Sequence, residues 1–430
     1  MSLFFRKSLL IILLVPLWQI VLSQDLEERI RRLPGIISAE RIEHNQFFND
    51  AVIIMVAQPL DHLHPELGTF PQRVILSNLG FDRPVVFITE GYSAAYGATA
   101  EYLNELCPML NANQLLAEHR FFGKSVPDTI DWKYLSVENS AADDHHIIEL
   151  FKPLYGKKWI STGISKGGGT VLYHRTLYPK DVEISVPYVA PLNFSVEEQR
   201  HDRFIRHKAG TYADRKKVMH CQVELLKRKK QMMPFFEQLC LEKKYKFRRN
   251  ASQIYDYCVL EFAFSFWQWG RPVSGIPEST ATDQELFNYF IKICPPDYFD
   301  IERGKATYPF FVQAVKQLGY YGYNPKPFKG LMELTDTKGY ILKLFLPPHT
   351  EITYDPTMSF LVKKYLKKDA EHILLIYGGN DPWSASAANV RGNRKIVKIV
   401  QPQGNHRTRI GTLPENQRKM VMQTLEKWLN

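Results

Sequence analysis

A serine, an aspartate and a histidine occupy three widely separated stretches of this chain whose neighbours suit acyl-transfer chemistry. Ser165 stands in Gly163-Ile164-Ser165-Lys166-Gly167, after the strand-like KKWIST and before the helix-like GGTVLYHRTLY. A G-x-S-x-G pattern in that setting reads as a nucleophile elbow. The turn holds the serine backbone in a strained conformation, and side chains at the two glycine positions would collide with the adjoining strand and helix. A serine hydroxyl needs a base to take its proton and an acid to orient that base. Asp381, in GGNDPW after HILLIY, and His406, in QGNH after RKIVKIV, follow in the order Ser, acid, His. Both fall at carboxyl ends of expected strands, where α/β active sites gather. Taken singly, Asp381 is a turn residue before proline and His406 a surface histidine; order, spacing and strand-end position together make them a triad.

The oxyanion formed on attack needs two donors. The backbone N–H of Lys166 is one, and the second is expected from Gly91-Tyr92, after the run PVVFIT. The Lys166 side chain is read as solvent-facing or ion-paired, with no catalytic role.

Positioning these groups requires an α/β fold with a mostly parallel sheet. Ala51–Gln58 and Arg73–Ser77 read as early antiparallel strands. Pro84–Thr89, Gln114–Ala117, Lys158–Thr162, Val182–Ala190, His372–Tyr377 and Lys395–Val400 read as the remaining strands, with helices over Ala141–Phe151, Gly167–Tyr178 and Glu415–Leu429. Between 193 and 348 helical patterns dominate, and strands resume afterwards. This stretch therefore reads as a helical cap inserted into a catalytic domain formed by residues 24–192 and 349–430. A cap limits entry and points to a short or terminal piece of a chain as substrate. Its aromatic run Phe262–Trp269 offers Trp267 as a pocket wall, although cap core is an equal reading for any one ring.

The first 23 residues form a separate unit. Arg6 and Lys7 precede the apolar run Leu9–Val15, and Val21-Leu22-Ser23 ends in a small residue, the pattern of a cleaved signal peptide. Pro16 and Gln19 interrupt it below the length of a comfortable span. Cleavage before Gln24 gives an exported chain, periplasmic or secreted, with no membrane segment afterwards and disulfides permitted. The five cysteines, Cys107, Cys221, Cys240, Cys258 and Cys294, cannot be paired from sequence. Asn193-Phe194-Ser195 and Asn250-Ala251-Ser252 are glycosylation sequons in a host that glycosylates.

The whole chain of 430 residues is 45% hydrophobic and carries a net charge of +10, which excludes a disordered or disulfide-stapled class. Residues 196–250 hold 16 Lys/Arg against 7 Asp/Glu. In an exported protein this surplus reads as a solvated helix face rather than a nucleic-acid surface. Asp143-Asp144-His145-His146 suggests a metal cluster, but neighbours on a helix diverge by about 100°, so no metal and no other cofactor are expected.

The motifs TFPQRVILSN, PVVFITEGY, AEHRFFGKSVP, GISKGG, EFAFSFWQWG, GGNDPWSA and QGNH, in this order, resemble secreted bacterial prolyl tri/tetrapeptidyl aminopeptidases. More distantly they resemble the prolyl carboxypeptidase/dipeptidyl peptidase group, which shares EHRxxG, the serine elbow and DPW. The resemblance spans about residues 50 to 410. It implies an α/β-hydrolase fold, a serine exopeptidase preferring proline before the scissile bond, and Ser165, Asp381 and His406 as nucleophile, acid and base. Trp383 would then wall the proline ring. Lys166 departs from the distant relatives, in which an aromatic residue is usual there. An aminopeptidase acting on free N-termini must hold a cationic amine, for which Glu90, Glu118 and then Glu261 are the candidates. A carboxypeptidase would instead use an arginine such as Arg120 or Arg271. The alternatives are an esterase or lipase with the same triad, and a non-catalytic binding protein on the same fold; the number of residues released and the oligomeric state stay open.

Overall fold

The run VVFIT becomes a strand buried along its whole length because apolar side chains leave it on both faces. Val86 and Ile88 enter one core, and Val85 and Phe87 enter the other, as the two-residue period of a strand requires. The computed structural model describes residues 26–430, and the expected leader, residues 1–23, lies outside them.

Nine strands form one sheet in the order β1-β2-β3-β5-β4-β6-β7-β8-β9. They run β1 Ile36–Arg41, β2 Asp50–Pro59, β3 Thr69–Asn78, β4 Val85–Thr89, β5 Asn113–Ala117, β6 Trp159–Ile164, β7 Ile184–Tyr188, β8 Ile373–Gly378 and β9 Ile396–Gln401. The first three pair antiparallel, as does β3 with β5, and every pairing from β5 through β4 to β9 is parallel. This is the α/β-hydrolase arrangement, and the eight expected strands all appear, most within one or two residues of their expected bounds. β1 is additional.

Helices α1 (Val137–Phe151), α2 (Lys166–Leu177) and α3 (Glu415–Leu429) cover the sheet. Ile147, Ile148 and Phe151 of α1 pack with Phe87 and Leu115 on one face. Val421 and Leu425 of α3 pack with Ile88, Ile376 and Ile399 on the other. Two parallel strands cannot be joined by a tight turn, and here α1 and α2 make the crossovers into β6 and β7.

Between β7 and β8 the chain builds no strand. Helices Tyr212–Lys227, Lys229–Lys243, Ala251–Gln268 and Asp283–Ile293 form a separate apolar cluster around Phe236, Tyr255, Phe262 and Phe290. That cluster also takes in Phe121, Leu135 and Trp383 from loops of the sheet unit, so the insertion is seated on the sheet's carboxyl-terminal edge. Helix Thr357–Lys368 returns to the sheet unit, where Met358 and Val362 pack with Leu172 and Tyr173 of α2. No helix of the described residues is long and apolar enough to cross a membrane.

Candidate active site

Ser165 occupies the single residue between β6 and α2, with φ 57° and ψ −119°. A positive φ is costly for a residue bearing a Cβ, roughly 1–3 kcal/mol, and persists only where the surroundings enforce it. A Cβ on Gly163 would stand 2.5 Å from the backbone of Gly167, and one on Gly167 would stand 2.5 Å from the Thr89 carbonyl oxygen. The Ser165 N–H donates to the Tyr188 carbonyl at 2.9 Å. Thr89 Oγ1 donates to the Gly167 carbonyl at 2.9 Å. The elbow is thus clamped between β4 and β7.

Asp381 begins the turn after β8, and His406 lies on the loop after β9. His406 Nδ1 donates to Asp381 Oδ2 at 2.7 Å, and the Trp383 N–H donates to Asp381 Oδ1 at 3.1 Å. Both side chains are buried. With Nδ1 carrying the proton, Nε2 is left as an acceptor. The two loops are laced together: Asn380 N–H reaches the Gly404 carbonyl at 2.7 Å, and a Cβ on Gly378 would meet the Asn405 oxygen at 2.4 Å. The His406 N–H also donates to the Gln268 carbonyl at 3.0 Å, so the end of an insertion helix fixes the histidine backbone. Among the described residues no Ser165–His406 hydrogen bond is formed.

Two spaces border Ser165. The larger, about 500 Å³, lies between the sheet edge and the insertion and is bounded by Trp269, Tyr298, Phe310, Trp383 and the buried Glu261. The smaller is a largely aromatic recess walled by Tyr92, Tyr173, Pro191, Phe310, Tyr320 and Trp383, with Lys166 and Asn193 also lining it. Of these rings the sequence marks Trp383 and, within the aromatic run Phe262–Trp269, Trp269. Tyr320 and Tyr321, in the tyrosine-rich YYGY, were missed, and clustering of that kind was the available signal.

Three carboxylates were candidates for holding an amine, and they separate sharply. Glu118 is fully buried and saturated. It accepts from Arg73, from Ser93 Oγ (3.1 Å), from the amides of Ala94 (2.7 Å), Lys124 (2.8 Å) and Ser125 (3.1 Å), and from Ser125 Oγ (2.9 Å). It is a structural anchor, with no capacity left for a substrate, and its ion-pair partner is Arg73. Glu90 bounds neither space. Its carboxylate receives the Gly91 N–H at 3.0 Å and the Tyr96 hydroxyl, and burial raises its pKa. The Gly91 amide expected at the oxyanion is therefore already engaged. Glu261 does face the larger space. It accepts from Ser265 Oγ, Tyr321 OH and Tyr323 OH, each at 2.8 Å. Burial lifts its pKa to about 7 against the lowering effect of those three donors.

Other expectations change with the packing. Trp267 is buried away from Ser165 and lines a groove with Ile205 and Met219; Trp269, two residues on, takes the expected place. Lys166 is neither solvent-facing nor ion-paired: it is 5% exposed and its Nζ has no hydrogen-bond partner. Arg120 is buried in a two-point pair with Asp143, at 2.7 Å on each arm, and neither it nor Arg271 bounds the spaces at Ser165. The run Asp143–His146 fans out: Asp143 to Arg120, His145 to Asp181 (2.8 Å), His146 to Gln58 (2.8 Å). Only His145 of that run joins a group able to hold an ion, with Glu149 and Asp181, and Asp181 there already accepts from His145 and His174.

Residues 21–429 match the model of the family described as PS-10 peptidase S37. The chain belongs to the S37 peptidase family. It is 30% identical over 415 residues to the prolyl tri/tetrapeptidyl aminopeptidase of Streptomyces mobaraensis, covering 94% of this chain and 85% of that one. A serine protease, vicPb, of Bipolaris victoriae is 31% identical over 143 residues, 28% of this chain and 27% of its own. The crystal structure of proline iminopeptidase from Mycobacterium smegmatis aligns over 87% of this chain and 98% of that one, at 11% identity and a TM-score of 0.37. Like its S37 relatives, the chain is a serine peptidase, here on an α/β-hydrolase sheet.

Proposed function

We propose that this S37 peptidase is an exported aminopeptidase that releases short peptides, of three or four residues, from free N-termini by cleaving after proline. The observation that carries the reading is one cavity lined both by Ser165 and, from the insertion, by the buried carboxylate of Glu261. A nucleophile and a carboxylate bordering the same space would set how much chain, counted from a cationic terminus, reaches the serine. The aromatic recess beside Ser165 suits a proline ring, which is rigid and apolar and loses little entropy on burial. The name of the Streptomyces relative agrees with this substrate class.

In the proposed reaction Ser165 Oγ attacks the prolyl carbonyl while His406 Nε2 takes its proton, and Asp381 holds the imidazole tautomer and supports its charge. The Lys166 amide, at the positive end of α2, receives the oxyanion. His406 then protonates the leaving amine, and water hydrolyses the acyl-enzyme by the same route. Reaction requires Ser165 Oγ and His406 Nε2 to come within hydrogen-bond reach, a contact that in such enzymes often tightens only when substrate arrives.

Mass spectrometry of products from proline-containing peptides with free and acetylated N-termini tests this reading. Release of tri- or tetrapeptides from the free forms alone is expected. Equal cleavage of acetylated peptides would reject the aminopeptidase polarity, and faster turnover of p-nitrophenyl esters with no peptide cleavage would favour an esterase. Ser165→Ala should abolish turnover and fluorophosphonate labelling while the fold is retained.

A further inference from the structure

Lysine is among the residues least often fully buried, and a buried ammonium is normally paired. Lys166 breaks both habits directly beside the nucleophile. Its Cβ and Cγ lie against Gly91, so closely that a Cβ on Gly91 would stand 2.7 Å and 2.9 Å from them. Its Nζ lies 5.7 Å from the Tyr92 ring centroid and 5.4 Å from that of Phe122. The two rings themselves meet edge to face at 5.6 Å. One side chain thus supports the backbone of the loop after β4 with its stem and engages the loop's aromatic residue with its head. The same residue supplies the first amide of α2.

We propose that Lys166 is a positioning residue for acyl transfer, fixing the Gly91–Tyr92 loop against the start of α2 through its buried stem and its ring-held ammonium. The inference rests on the serine peptidase mechanism above. A solvated lysine would leave the glycine loop without backing, whereas this one joins that loop to the start of α2, whose Lys166 amide faces the proposed oxyanion. The titratable groups facing Lys166 are Glu90 and Tyr92 on the loop, His119 beyond β5 and Asp144 on α1. The two carboxyls favour its charge, and burial opposes it more strongly, lowering its pKa to about 7. The ammonium is therefore present below that pH and lost above it.

Lys166→Met keeps most of the stem and removes the charge; Lys166→Ala removes both. Steady-state kinetics on a proline-containing tripeptide anilide should show kcat down about tenfold in Lys166→Met and about a hundredfold in Lys166→Ala, with KM within about twofold. The ratio of wild-type to Lys166→Met kcat should shrink as pH rises through about 7, because the wild type then loses the charge that the variant never had. Thermal unfolding of Lys166→Met near neutral pH should occur at a higher temperature than that of the wild type, since an unpaired buried amine is replaced by an apolar chain. Wild-type kcat in Lys166→Met, a pH-independent ratio, or an effect confined to KM would each overturn the proposal. Should Lys166→Ala fail to fold, the Lys166→Met measurements decide alone. Failure of fluorophosphonate to label Ser165 in the wild type would sink the peptidase mechanism and this proposal with it; normal labelling with unchanged Lys166→Met kinetics would sink this proposal alone.

Discussion

His406 Nδ1 donates to Asp381 Oδ2 at 2.7 Å, and the carboxylate that accepts has no solvent exposure. The two residues sit on consecutive strand-end loops, laced by the Asn380–Gly404 hydrogen bond. A buried carboxylate with one oxygen on the imidazole and the other on the Trp383 amide has little freedom to turn. The pair is therefore held in the tautomer that leaves Nε2 able to accept a proton.

Asp381→Asn keeps the size and reverses that preference, because an amide N–H facing Nδ1 favours the tautomer protonated at Nε2. In the proposed mechanism the base is then lost. A drop in kcat on the order of 10⁴-fold is expected, the scale known for such a change in other serine peptidases, with KM little altered. Steady-state kinetics on a proline-containing anilide, with circular dichroism to confirm folding, checks it. A loss below tenfold would remove Asp381 from the triad.

The elbow glycines make a second test. Gly167→Ala places a methyl 2.5 Å from the Thr89 carbonyl oxygen and 3.2 Å from the Gly91 amide. Both are backbone atoms and cannot swing aside. Separating α2 from the β4 loop by even part of an ångström should lower kcat about a hundredfold and cost about 1–3 kcal/mol of stability. Gly156→Ala, where the added methyl meets nothing within 4 Å, should leave both unchanged. Kinetics and thermal melts of the two variants provide the comparison.

How much of this was legible beforehand follows from which interactions are local. The runs PVVFIT and HILLIY are apolar on both faces and become interior parallel strands, and the strand-end positions of Ser165, Asp381 and His406 follow from KKWIST, HILLIY and RKIVKIV. β1 escaped notice because it is an edge strand, with Glu40 and Arg41 exposed and only Ala39 buried, so no alternation marks it. The choice among Glu90, Glu118 and Glu261 depends on where the insertion docks, which no local pattern encodes. Lys166 was misread for a related reason. Residue type predicts solvent for lysine, and only the packing of the Gly91 loop, Tyr92 and Phe122 overrules it.

Glu118 and Glu261 differ in a way that mutation should expose. Glu118→Gln replaces one carboxylate oxygen by a donor amide among donors and leaves Arg73 without its buried partner. Breaking such a pair from one side typically costs about 3–5 kcal/mol. Chemical denaturation should report a loss of that size, while the preference for free over acetylated peptides stays at the wild-type ratio in the fraction that folds. A changed ratio would return Glu118 to the substrate site.

Glu261 should show the opposite behaviour, and pH gives the sign. Burial raises its pKa from 4.5 to about 7, so without substrate it is neutral below that pH and anionic above it. Holding a substrate ammonium requires the anion. The ratio of kcat/KM for free over acetylated peptides should therefore rise as pH increases through about 7. It should fall again above about 8, where an α-amino group loses its proton. Glu261→Gln cannot ionise and should show a flat ratio, lowered about 10- to 100-fold near pH 7.5, equivalent to about 1.5–3 kcal/mol for a charge-assisted hydrogen bond. Stability runs the other way. Between 4.5 and about 7 the folded protein retains a proton that the unfolded chain has released, so this residue's contribution to stability declines as pH rises across that window. In Glu261→Gln that part of the decline should vanish. Paired measurements of selectivity and unfolding between pH 5 and 8 separate the two effects, and a selectivity ratio in Glu261→Gln that still climbs through pH 7 would assign the amine site to another residue.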